Sequence, residues 1–251
     1  EAALAADNVA PAVALAALPG LSDTGELLAG GARPAPYSPV GAILPGGDPT
    51  RLPPVAAGRA RVQDEGSQLA ALALSRARPV EPGERWLDLC AGPGGKAALL
   101  AAEAAAGGAS LTANELVPAR VGLVRRALAP FGDAVRVVES DGTTLGEREP
   151  AAFDRVLLDA PCTGLGALRR RPEARWRKQP ADVPGLGELQ SRLLDSAIAA
   201  VRPGGLVAYV TCSPHAAETR AVISAALRRH PGVRALDTGE ALQRVALEPL
   251  D

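Results

Sequence analysis

Trp86-Leu87-Asp88-Leu89 runs directly into Cys90-Ala91-Gly92-Pro93-Gly94-Gly95-Lys96, and an Ala/Leu stretch follows to residue 106. A short apolar run, a glycine-rich turn and a helical pattern in succession read as a buried strand that turns into a helix. Glycines allow the tight turn and a close approach of backbone to ligand. The first N–H groups of the helix stay available to an anion.

The same alternation continues along the chain. Strands are expected over residues 86–89, 110–114, 135–138, 156–158 and 206–210, with a further strand over residues 233–236. Helices are expected over residues 68–76, with Ser67 as cap, and over 96–106, 118–129, 186–201 and 216–229. Gly107-Gly108 and Pro203-Gly204-Gly205 stop two of them, and Pro118 suits a first turn. This pattern predicts an α/β fold, a mostly parallel Rossmann-like sheet with helices on both faces.

Ligands of such a sheet gather at the carboxyl ends of its strands. Glu115, Asp141, Asp159, Cys162 and Cys212 all fall there, beside the glycine turn. In the order 3-2-1-4-5, strands four and five are neighbours about 4.8 Å apart. Cys162 and Cys212 then face one pocket, although about fifty positions separate them.

Each motif has a plain structural reading beside the functional one. The turn is not a phosphate-binding loop of the Walker type, which needs Gly at position 90 and Ser or Thr at position 97. Gly92, Gly94 and Ala97 do fit the dinucleotide spacing G-x-G-x-x-A, with Glu115 as the acid that follows, so an adenosine-containing cofactor is indicated over a bare turn. Glu115 suits a ribose diol and Asp141 an adenine amino group; either could be a solvated strand-end acid or a helix cap. Asp159, in Asp159-Ala160-Pro161-Cys162, could hydrogen-bond a base-like ring. Free cysteines are most often small buried hydrophobes. Two at adjacent strand tips weigh against that.

Composition narrows the partners. The formal net charge is -1, so no global field attracts nucleic acid. A local run does: Arg169, Arg170, Arg171, Arg175, Arg177 and Lys178 stand against Glu173 alone, with Trp176 among them. Arginine interleaved with an aromatic suits phosphate contact and base stacking. Of three cysteines none forms a C-x-x-C pair, so neither a disulfide framework nor a metal site is expected. No apolar run is long enough to span a bilayer, and a cytoplasmic monomer is expected. Residues 1–62, rich in Ala, Pro and Gly, show short apolar runs at 12–18 and 41–44 and are taken as a small or partial N-terminal module. The chain holds no Met and begins at Glu1, as a fragment would.

Five stretches in order carry a resemblance: Gln63-Asp64-Glu65-Gly66-Ser67-Gln68, residues 87–96, Asp159-Ala160-Pro161-Cys162-Thr163-Gly164, Arg170-Arg171-Pro172-Glu173 with Arg175-Trp176, and Tyr209-Val210-Thr211-Cys212-Ser213. Together they resemble the RNA cytosine-5 methyltransferases of the Sun/Fmu type, in particular the bacterial small-subunit ribosomal RNA branch. The likeness covers roughly residues 60–230. It implies a Rossmann-like S-adenosylmethionine methyltransferase domain over residues 63–251, with residues 1–62 as part of an RNA-binding module. It also implies that Cys90 to Lys96 wrap the cofactor, that Glu115 takes its ribose, that Asp141 takes its adenine edge, and that Arg120 belongs to the same site. Cys212 would be the nucleophile that adds to C6 of cytosine, Asp159 would hold the ring near N3, and Cys162 would assist loss of the C5 proton or release of the product. The target base must stand outside a helical stack.

The chain departs from the family pattern in three places. The region before the core is short, the stretch after residue 229 is too short for a final strand pair, and Gly92 stands where many members carry alanine. Rival readings are an S-adenosylmethionine enzyme acting on another substrate, an NAD(P)-dependent oxidoreductase, and a non-catalytic RNA-binding scaffold. A dehydrogenase would give Cys212 no role and would need a hydride-transfer partner, for which only His215 and His230 are present among histidines.

Overall fold

The computed structural model describes residues 11–250. The first ten residues of the expected N-terminal module lie outside that range. The rest of the module forms an antiparallel sheet of four strands, β1 (Val13–Ala17), β2 (Arg33–Pro34), β3 (Gly41–Leu44) and β4 (Ala60–Val62), in the order β2-β3-β1-β4. Helix α1 (Thr24–Ala29) follows β1, capped by the Asp23 side chain on the Glu26 N–H. Leu15, Ala17, Leu27, Ala42, Leu44, Leu52 and Ala60 make its small core. The two apolar runs noted in the sequence are the two central strands.

The second sheet has five parallel strands, β5 (Arg85–Asp88), β6 (Ser110–Glu115), β7 (Val135–Glu139), β8 (Phe153–Asp159) and β9 (Val201–Val210). Their order is β7-β6-β5-β8-β9, the 3-2-1-4-5 order expected of a doubly wound sheet. Helices α2 (Glu65–Ser75), α3 (Gly95–Ala106) and α4 (Pro118–Leu128) cover one face; α5 (Asp182–Ala200) and α6 (Arg220–Arg229) cover the other. With so few aromatics, close packing is reached through alanine: Ala97, Ala98, Ala101, Ala102 and Ala104 of α3 are all buried. Small side chains let the helix sit near the sheet, and leucines fill what is left.

Three local expectations are corrected. Helix α2 starts at Glu65, not at residue 68, and Ser67 does not cap it. The N-cap is Asp64, whose carboxylate makes no capping bond and pairs instead with Arg170. Residues 233–236 form no strand; Val233 and Leu236 are exposed, and Pro231-Gly232 leads away from the sheet. The chain instead returns as helix α7 (Thr238–Gln243), after which Val245 joins the core and the Leu247 N–H reaches the Tyr37 carbonyl at 2.9 Å. In β9, residues 202–205 form a bulge, and pairing with β8 resumes at Arg155↔Leu206. Proline and two glycines make that interruption, with Gly204 in the left-handed region.

One buried charge holds the base of the sheet. Arg155 on β8 is 0% exposed and pairs with Glu84 at 2.8 Å. Its guanidinium also donates to the carbonyls of Leu74, Ser75, Arg78 and Pro79 and lies 4.8 Å from the Trp86 ring. Trp86 Nε1 donates to the same Glu84 carboxylate. Burial alone would push the Glu84 pKa up, but the hydrogen bonds from Arg155 and Trp86 hold it below the usual value.

Candidate active site

The site lies where the five parallel strands end. Past β5, the turn at residues 90–96 bends sharply because Gly94 adopts φ +107. A Cβ there would come 2.5 Å from the Ala127 Cβ and 3.4 Å from the Val124 backbone, so only glycine fits. The first N–H groups of α3 open from this turn. At Gly92 a Cβ would fall 2.1 Å from Glu115 Oε2 and 2.8 Å from Arg120 Nε. The glycine at this departure from the family pattern thus lets the β6 acid close onto the turn. Glu115 is buried; it accepts the Gly92 N–H at 3.0 Å and the Val117 N–H at 2.9 Å. Arg120 pairs with Glu115 at 3.6 Å and donates to the Gly92 carbonyl.

Asp88, the last residue of β5, was not singled out in the sequence. It is 1% exposed, and neither carboxylate oxygen has a well-formed hydrogen-bond partner. Burial first, then the charge of Asp159, raises its pKa to about 7; Lys96 and the Cys90 N–H act against this. An orphaned acid at the mouth of a glycine turn is suited to a cationic ligand group. Its signal in the sequence was only the Asp-Leu-Cys step into the turn, read there as the strand itself.

Asp141 stands at the exposed tip beyond β7 and caps the turn Gly142–Thr144, its Oδ1 accepting the Thr143 N–H at 2.8 Å and the Thr143 hydroxyl at 2.8 Å. These bonds hold its pKa below the usual carboxylate range. Lys96, at the start of α3, reaches across to Asp159 at the end of β8, Nζ to Oδ2 at 2.8 Å. The glycine turn and the acid at the end of β8 are therefore one cluster.

The two cysteines meet there. Cys162 Sγ lies 3.4 Å from Cys212 Sγ. The ladder between β8 and β9 ends at Asp159↔Val210, which brings the two loops out side by side. The Cys162 hydrogen bond lowers the Cys212 pKa most, and Lys96 helps, against burial and the Asp159 charge; the result is about 6. The pKa of Cys162 moves up, through the same bond to Cys212 and through burial. Of the pair, Cys212 is the more acidic thiol and Cys162 the one that holds its proton more tightly. The third thiol, Cys90, is pushed up by burial and by Asp88, and it stays protonated.

A labelling experiment follows from these directions. Only the thiolate reacts with iodoacetamide. Carboxamidomethylation of Cys212, followed by mass spectrometry, is expected to rise through a midpoint of about 6 and to be level by neutrality. In Cys162→Ala that midpoint moves upward, because the largest stabilising contact is gone. A wild-type midpoint at about 8.5, the value of an ordinary thiol, contradicts the pairing.

The basic run is only partly a free surface. Arg170 donates to the Ala12 carbonyl at 3.2 Å and pairs with Asp64, so it ties this segment to the N-terminal sheet. Trp176, on the short helix Ala174–Arg177, is 75% exposed.

Comparison with known proteins decides the family. A family model described as 16S rRNA methyltransferase RsmB/F matches residues 77–247. The chain belongs to this family. Its cofactor is S-adenosylmethionine, and this sets aside the nicotinamide reading of the glycine turn. A Mycobacterium tuberculosis (strain H37Rv) protein named as a methyltransferase is 56% identical over 239 residues, 95% of this chain and 51% of its own. Ribosomal RNA small subunit methyltransferase B of Pseudomonas putida is 39% identical over 209 residues, 82% of this chain and 47% of its own. The chain spans about half the length of the curated relatives it matches. A crystal structure of a methyltransferase homologue from Pyrococcus horikoshii superposes with a TM-score of 0.74 at 27% identity, covering 90% of this chain and 73% of that one. NSun6 from the same organism, solved with SFG, shares the fold at a TM-score of 0.63 and 24% identity, over 75% of this chain and 48% of its own. Among the described residues no helix is long and apolar enough to cross a membrane.

Proposed function

We propose that this chain methylates carbon 5 of a cytosine in RNA, with small-subunit ribosomal RNA as the substrate class, through a covalent bond between the Cys212 sulfur and carbon 6 of the base. The observation that carries this reading is the 3.4 Å approach of Cys162 and Cys212 beside the Lys96–Asp159 pair. S-adenosylmethionine, when bound, supplies an electrophilic methyl group on a sulfonium. The residues present suit it. Cys90, Ala91, Gly92, Pro93, Gly94, Gly95 and Lys96 would hold its methionine end, Asp88 a cationic group, Glu115 with Arg120 its ribose, and Asp141 its adenine.

The protein's part follows from charge. Cys212 is ionised at neutral pH and adds to carbon 6, which leaves carbon 5 electron-rich enough to accept a methyl group. Asp159, oriented by Lys96, can accept from the 4-amino group beside N3 of the ring, and the Lys96 ammonium offsets the negative charge that develops there. Before addition, the negative sulfur of Cys212 keeps the proton on Cys162. Once that sulfur bonds carbon its charge is gone, the Cys162 thiol can give its proton to water, and its sulfur can then take the proton from carbon 5. Breaking the Cys212 bond to carbon 6 then frees the product.

Arg169, Arg171, Arg175, Arg177 and Lys178 are proposed to meet the RNA backbone, with Trp176 stacking on a base. Arg170 would act by joining that segment to the N-terminal sheet. We take residues 1–62 as part of an RNA-binding module and residues 63–251 as the methyltransferase domain. The test is transfer of labelled methyl from S-adenosylmethionine to small-subunit ribosomal RNA, followed by bisulfite sequencing of RNA from cells with and without the gene. A cytosine protected only when the gene is present is expected. Label at another atom, or no gene-dependent protection, overturns the reading.

A further inference from the structure

Glu218 ends the turn Ala216–Glu218 that follows β9, and it is 0% exposed. A carboxylate removed from water needs full hydrogen bonding. It finds four donors. Oε1 accepts the Thr163 N–H at 2.9 Å and Gln190 Nε2 at 3.1 Å; Oε2 accepts the Thr163 hydroxyl at 2.5 Å and the Ser213 hydroxyl at 2.6 Å. Burial would raise its pKa, but these bonds, from Ser213 and Thr163 first, bring it below the usual value, so the group is charged.

Three of the four donors come from the two cysteine loops. Thr163 follows Cys162, and Ser213 follows Cys212. Gln190 on α5 also donates to the carbonyl of Pro161, just before Cys162, at 2.8 Å. The Tyr209 hydroxyl on β9 donates to the Glu218 carbonyl at 2.7 Å. Strand pairing has ended before either cysteine is reached. Beyond it, the loops are joined by the Gly166 N–H to the Cys212 carbonyl, at 2.8 Å, by the Thr163 and Ser213 hydroxyls, 3.1 Å apart, and by this carboxylate, which accepts from both hydroxyls.

We propose that Glu218 is a positioning residue: its carboxylate grips Thr163 and Ser213 and so sets the distance between the Cys162 and Cys212 sulfurs on which the proposed methyl transfer depends. It touches neither sulfur and acts through the residue beside each. The inference rests on the proposed function for its importance, but the distance itself can be probed without RNA.

Diamide oxidises two adjacent thiols. A sulfur–sulfur bond forms between Cys162 and Cys212, the Cys162 S–H bond is lost, and the diamide N=N bond takes up two electrons, the Cys162 proton and one proton from water. The rate of this step, followed by mass spectrometry of the linked peptide, reports how often the sulfurs meet. In Glu218→Gln the new amide NH2 faces donors in place of one oxygen. We expect crosslinking to slow by at least about 10-fold, and kcat for RNA to fall by about 100-fold with KM little changed, as for a misplacement of about 1 Å. Binding of S-adenosylmethionine, whose turn leaves a different strand, should stay within about 2-fold of the wild type if the variant is folded.

Should Glu218→Gln not fold, Ser213→Ala and Thr163→Val each remove one grip and decide the matter by the same rate. Slowed crosslinking at a wild-type melting temperature supports positioning. Wild-type crosslinking in folded Glu218→Gln overturns it, as does equal loss of crosslinking and cofactor binding in every variant. Fast crosslinking in a wild-type protein that methylates no RNA would strike the proposed function and leave the role of Glu218 standing.

Discussion

Cys212→Ala is expected to lower methyl transfer to RNA by at least about 1,000-fold, the scale of losing a covalent nucleophile. The expectation is steep because carbon 5 of cytosine is a poor nucleophile until a sulfur has added to carbon 6. No other side chain here offers that sulfur. Cys90 is held protonated within the glycine turn by burial and by Asp88, and Cys162 stands on the other loop, its sulfur 3.4 Å from the position out of which Cys212 attacks. Cys212 lies at the rim of the site, exposed to solvent, so trimming it leaves the core intact. The variant should therefore melt within about 1 kcal/mol of the wild type and still bind S-adenosylmethionine. Retained transfer in this variant would mean that another group attacks, or that addition to the base is not required. Calorimetric cofactor binding beside a filter assay of labelled RNA reads both halves.

Arg155→Met is expected to cost about 3–5 kcal/mol of folding stability, the largest effect of any single change away from the site. The guanidinium is wholly buried, so its removal leaves the Glu84 charge without its main partner and the carbonyls of Ser75, Arg78 and Pro79 without this donor. A whole domain is stable by only about 5–15 kcal/mol, so the loss should move the urea midpoint far. Arg155→Lys should recover little, since an ammonium cannot reach carboxylate and carbonyls as a planar fork does. Adding Glu84→Gln to Arg155→Met should recover part of the loss, because the stranded charge is then gone. A loss below about 1 kcal/mol for Arg155→Met would show that water or a neighbouring cation, such as Arg78, replaces the pair.

The Arg155–Glu84 pair borders two expected strands without being legible in the sequence, because burial of a charge leaves no periodic mark. Glu218 was hidden for the same reason: its donors are 5, 28 and 55 positions away, and only the folded loops bring them together. Asp88 read as a strand residue because its carboxylate lacks a partner in the protein itself. What was legible depended on local pattern. Apolar runs leading into Cys, Glu, Asp or Thr-Cys marked the parallel strands, and the 3-2-1-4-5 order, assumed for a doubly wound sheet, is the one found. That order put residues 162 and 212 side by side. The misplaced start of α2 and the absent strand at residues 233–236 lie where local preference was weak and a distant partner decided. Asp64 was drawn to Arg170, and the last residues folded back onto Tyr37 and the core instead of pairing at the sheet edge.

The shared site of the two sulfurs is tested most directly by a gel. Cys162→Ala, incubated with S-adenosylmethionine and small-subunit ribosomal RNA and run under denaturing conditions, should show a protein band shifted by bound RNA, because Cys212 can still add to the base while release is impaired. The shifted band should vanish on RNase treatment and be absent from the Cys162→Ala/Cys212→Ala double variant. A Cys162→Ala protein that turns over like the wild type with no shifted band, or a band that survives loss of Cys212, would contradict the account.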